Sequence, residues 1–70
     1  MGINLREIWL NDAMLTFEKV KAELDSGEEN PMGRSLVIEY LKSCGLRRNK
    51  WADALCVEES EFNRVMGFDN

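Results

Sequence analysis

Few side chains in this 70-residue chain could do covalent or acid/base chemistry. It has no His, which removes the commonest general base and the usual partner of a nucleophilic Ser or Cys. Carboxylates and Lys remain, but no pair of carboxylates has a spacing that suggests a site, so the chain is expected not to be an enzyme. Cys44 and Cys56 stand twelve residues apart without a His between or around them, which is no zinc-ligand pattern. Neither a metal nor another cofactor is expected. Both cysteines fall in apolar registers where a reduced thiol packs as a small hydrophobe, and two are too few for a disulfide framework; a reducing, cytoplasmic setting is the expectation. The remaining chemistry lies toward the C-terminus. Arg47, Arg48 and Lys50 form a basic cluster. Asn63 and Arg64 are the residue types that hydrogen-bond adenine and guanine edges, and a Glu can accept from cytosine N4.

Helices must position these groups, because nowhere do β-branched residues alternate over four or more positions as a strand requires. The first helix has a marked start. Asn4 can cap it, Glu7 three residues on can reach back to the cap amide, and Ile3 and Ile8 have the spacing of a hydrophobic staple. From there Leu5, Trp9, Ala13, Phe17, Val20 and Leu24 recur every three or four residues, with Leu10 and Met14 widening the stripe. This predicts a helix over 5–25, ended by Asp25-Ser26-Gly27. Asn30-Pro31 opens a second helix, which runs to about Cys44 with Leu36, Val37, Tyr40, Leu41 and Cys44 inward and exits at Gly45. Two short helices follow: Arg48–Leu55, carrying Trp51, Ala52 and Leu55, and Glu59–Met66, carrying Phe62 and Val65 and exiting at Gly67. The expected fold is all-α, one domain over 1–70, with a long N-terminal helix and a compact three-helix unit over 31–67.

Two short helices crossing over a tight turn need a small residue at the crossing, apolar residues around it and apolar anchors on the second helix. Trp51-Ala52, Leu55, Cys56-Val57, Phe62 and Val65 supply that set. With Leu46 ahead of them, the stretch from Gly45 to Gly67 resembles the helix-turn-helix of the Cro/C1 (lambda repressor-like) DNA-binding family, and Leu36 to Cys44 is similar to the helix that precedes it. The likeness covers about residues 36–67. It implies a small transcriptional regulator of bacterial, plasmid or phage type that binds double-stranded DNA. Arg47, Arg48 and Lys50 would then lie where family members contact the phosphate backbone, and Glu58, Glu59, Ser60, Asn63 and Arg64 would face the major groove. Ser60, Asn63 and Arg64 are the expected base-edge contacts. Cys56 departs from the family's preferred Gly at a left-handed turn position, so either a different turn or mild strain is expected there. The family's later helices do not follow within this sequence, so the N-terminal helix or a second subunit is expected to cover the surface they would occupy.

Charge sets the competing reading. The net charge is −4. Residues 1–33 hold three basic and seven acidic groups, whereas residues 34–70 hold six of each. Glu58, Glu59 and Glu61 favour a helix N-terminus, but they also oppose phosphate, and an acidic face could instead dock a basic protein partner. The alternative is therefore an acidic interaction module that keeps the scaffold without binding DNA. Ile3, Leu10, Phe17 and Leu24 repeat every seven residues, with Ala13 and Val20 between them and Arg6 interrupting the pattern. A homodimer is expected, because a core this small often gains stability by pairing with itself, and these residues fit its seam and fit cover for the other helices equally well. No apolar run reaches membrane-spanning length, and the N-terminus carries no export or myristoylation signal, so no membrane association is expected.

Overall fold

The computed structural model describes residues 4–68. It consists of α1 (Leu5–Asp25), α2 (Pro31–Ser43), a 3₁₀ turn (Arg48–Lys50) leading into α3 (Trp51–Ala54), and α4 (Glu59–Met66). Among the described residues there is no strand, and no helix is long and apolar enough to cross a membrane. Side-chain caps start the two long helices. Asn4 Oδ1 accepts from the Glu7 amide at 3.3 Å, and Asn30 Oδ1 accepts from the Gly33 amide at 2.8 Å with Pro31 at the first helical position. Asn30 also donates to Glu23 Oε1 at 3.0 Å, which ties the end of α1 to the start of α2. Ile3, the outer half of the expected staple, lies outside the described residues.

All four helices end in the same way, with paired amide bonds back to carbonyls of the last turn and one residue in the left-handed region. At the end of α2, Gly45 N–H donates to Lys42 and Leu46 N–H to Leu41. The left-handed residue is Gly27, Gly45 and Gly67 in three cases and Cys56, at φ 59°, in the fourth.

The α1–α2 pair forms the largest contact in the molecule, and small residues let it close. Ala13 is fully buried, and a Cβ at Gly33 would lie 2.6 Å from Val20 Cγ2. Against this pair sit α3 and α4, whose Trp51, Ala52, Leu55, Phe62, Val65 and Met66 join Ala13, Phe17, Val20, Val37 and Leu41 in one core. Phe62 is its hub. Its ring stacks on Phe17 (5.8 Å between centroids, 8° between planes) and meets the edge of Trp51 (6.3 Å) and the tilted ring of Phe68 (6.0 Å).

Several expected positions differ. Leu36 and Leu5 are exposed, at 46% and 53%, and Met14 is exposed as well. Each lies at the border of its helix's apolar stripe, where a periodic pattern cannot tell the last buried residue from the first exposed one. Phe17 is 1% exposed and stacked on Phe62, so its side chain is committed to the core and not presented at a dimer seam. Leu10 and Leu24 are half-buried, Leu10 being packed on that core, and Ile3 lies outside the described residues. The expected single helix over 48–55 begins instead as a 3₁₀ turn, with Lys50 N–H bonded to Arg47 O at 2.9 Å. Arg47 occupies the capping position and has no side-chain acceptor to offer the free amides, so the first turn tightens to satisfy them.

Removing the hub should cost far more than trimming the border. Phe62→Ala is expected to lose about 3–5 kcal/mol in urea unfolding, whereas Leu36→Ala is expected to change stability by no more than about 0.5 kcal/mol.

Candidate nucleic-acid interface

Positioning begins with Trp51, whose indole N–H donates to Leu46 O at 3.0 Å and anchors the start of α3 to the chain leaving α2. Ala52 is buried and its carbonyl accepts the Val57 amide at 3.1 Å, so the turn folds directly over the smallest core residue of α3. Cys56 makes that turn possible by adopting φ 59°, a conformation that costs a residue with a Cβ on the order of 1 kcal/mol. The strain expected from sequence at this position is present in the backbone. Beyond the turn, Phe62, Val65 and Met66 fix one side of α4 in the core.

A residue of the adjacent helix, Arg34, holds the far end of α4. Its Nε donates to Val65 O at 3.1 Å, and its guanidinium lies beside Gly67. This places a cation at the negative end of the helix. Sequence reasoning did not single out Arg34, because the contact spans 31 residues and has no local signature.

The six expected contact residues divide into two groups. Arg47, Arg48 and Lys50 are exposed, as is Ser60, and Asn63 is half-buried. Arg48, Asn49, Glu59, Phe62 and Asn63 line one open cleft of about 310 Å³, so Arg48 of the basic cluster shares a surface with the Glu59–Asn63 flank of α4, while Arg47, Lys50 and Ser60 lie outside the cleft lining. Arg48 is partly held, with its guanidinium carbon 4.5 Å above the centre of the Phe68 ring. Phe68 and Asn49 were not among the expected site residues. Phe68 sits just past a helix that periodicity ends at Gly67, and Asn49 is an ordinary surface residue until the cleft is seen.

Arg64 belongs to a different neighbourhood. On α4 the exposed side is centred on Ser60 and Arg64, one turn apart, with Asn63 on the flank toward the basic cluster and Glu61 on the flank toward α1. The Arg64 guanidinium leans to the acidic flank, bonding Glu61 Oε1 at 3.2 Å and Asp25 Oδ1 at 3.4 Å, and Lys21 reaches the same Glu61 oxygen at 3.5 Å. The Glu61 bond, opposed by partial desolvation and supported by Asp25, raises the Arg64 pKa above its ordinary value. Arg64 therefore stays charged, and two of its five N–H donors are engaged within the protein.

Away from this surface, Pro31, Met32, Ser35, Leu36 and Glu39 line a second open cleft of about 340 Å³ on α2. It shares no residue with the first. Among the described residues no cluster of three His, Cys, Asp or Glu is arranged to hold a metal ion.

Relieving the turn should stabilise the protein without moving the surface. Cys56→Gly is expected to raise the stability by about 0.5–1 kcal/mol in thermal or urea unfolding, and a loss would show that the Cys56 side chain compensates for its backbone. No protein-family model, curated protein or solved structure matches the chain.

Proposed function

We propose that this protein binds double-stranded DNA through the surface formed by Arg47, Arg48 and Lys50 with Ser60 and Asn63 of α4, and acts as a small transcriptional regulator. The observation that carries the reading is the shared cleft, in which Arg48 and Asn49 of the basic turn face Glu59 and Asn63 of α4. A basic turn beside an exposed helix side is what a groove-binding helix needs: cations to grip the phosphates that flank the groove, and short polar side chains to meet base edges within it. The likeness to the Cro/C1 helix-turn-helix supports the same residues in the same roles. With the helix entering the major groove, Ser60 and Asn63 read bases while Arg47, Arg48 and Lys50 set the register.

One observation favours a second reading. Asp25, Glu58, Glu59 and Glu61 surround α4 with carboxylates, and Arg64 is already paired with two of them. A surface of that sign is suited to a basic protein partner, for which α4 would serve as an acidic docking helix. Both readings use the same scaffold and predict opposite behaviour toward polyanions.

Salt dependence separates them. Under the DNA reading, binding to a mixed-sequence duplex weakens steeply with added salt, and Lys50→Ala lowers the slope of log K against log salt by about 0.9 while weakening all sequences alike. An unchanged slope in Lys50→Ala removes Lys50 from the phosphate contacts. Absence of binding at low salt removes DNA and leaves the acidic docking surface.

A further inference from the structure

We infer that the ion pairs of Arg64 with Asp25 and Glu61 form an autoinhibitory contact that withholds the central cation of α4 from DNA; this rests on the DNA-binding reading above. Arg64 and Ser60 lie at the middle of the exposed side of α4, so a free Arg64 would be the long donor best placed to reach a guanine edge or a phosphate. Its guanidinium is instead drawn across to the end of α1, 39 residues away in sequence, where Asp25 Oδ1 accepts at 3.4 Å, while Glu61 on the same helix accepts at 3.2 Å.

The arrangement has a physical cause in α1 itself. Asp25 is the last residue of that helix, whose final turn has no basic side chain, so a carboxylate stands at the negative end of the helix with no cation in that turn to offset it. Arg64 supplies the missing cation. Lys21, one turn earlier on α1, pairs with Glu61 and keeps that carboxylate on the same side. DNA phosphate must therefore compete with two carboxylates for one guanidinium. Both pairs are solvent-exposed, with Arg64 46% and Asp25 55% accessible, so the contact is weak enough for a groove to break and strong enough to lower affinity.

The test is a double-mutant cycle read by DNA affinity at low salt. Asp25→Asn removes the charge of the cross-helix carboxylate, and with it the ion pair, at an exposed position that makes no cap, and the folded state is checked by thermal unfolding. DNA affinity is expected to rise about two- to fivefold, the range an exposed pair is worth, and the rise is expected to vanish when Arg64→Ala is also present. Glu61→Gln should show the same dependence on Arg64, which keeps the test decisive if either variant unfolds. A gain that persists in the Arg64→Ala background would mean that only net charge had changed, and it would overturn the autoinhibitory contact, as would no gain at all. If the unmodified protein binds no DNA and the variants bind none, the DNA reading falls and the inference falls with it. If the unmodified protein binds and Asp25→Asn binds equally well, only the inference falls.

Discussion

The orientation of α4 depends on one side chain. Phe62 faces three ways at once: it lies flat against Phe17 of α1, its ring meets the edge of Trp51 of α3, and Phe68 closes over it from the tail. A ring held from three directions fixes both the height and the rotation of the helix that carries it. With Phe62 fixed, Val65 and Met66 must also point inward, and Ser60, Asn63 and Arg64 are left on the outside. Arg48 takes its place above Phe68, so the same aromatic group that seats α4 also seats the edge of the basic turn. The surface proposed to meet DNA is thus the reverse side of the aromatic core.

Much of this was legible in the sequence because it is local. The Asn4 and Asn30 caps, the Pro31 start and the Gly45 and Gly67 exits depend on residues within five positions of one another, and the structure places each where the pattern predicts. The left-handed Cys56 was legible only through the family likeness, which puts a Gly at that turn position. What was not legible depends on contacts between distant elements. Arg34 on Val65, Arg48 on Phe68 and Arg64 on Asp25 each join residues from separate parts of the chain, and a charged side chain has no periodic signature to announce its partner. Apolar periodicity named Leu5 and Leu36 but could not settle their burial, which depends on how far the neighbouring helix reaches. For Phe17 a heptad and a core stripe predict the same residue, and only the stacked ring of Phe62 decides its place.

The two halves of the chain pull its electrostatics in opposite directions. The acidic excess is concentrated in residues 1–33, and the end of α1 brings part of it, through Asp25, against the exposed side of α4. The basic turn lies on the other flank, in the cleft with Asn63. Attraction for a polyanion is therefore graded across α4, strongest beside Arg48 and weakest beside Glu61. Under the proposed DNA reading, such a surface would bind with low intrinsic affinity and strong dependence on orientation, since turning the helix by one flank exchanges cations for carboxylates.

The most direct test of this account is an NMR amide titration of the labelled, folded protein with a mixed-sequence DNA duplex at low salt. The account predicts shifts concentrated at Arg47 to Lys50, Ser60 and Asn63, with the α2 cleft around Met32 and Leu36 unmoved. A folded protein whose spectrum does not change, or whose shifts fall on the α2 cleft, would contradict it.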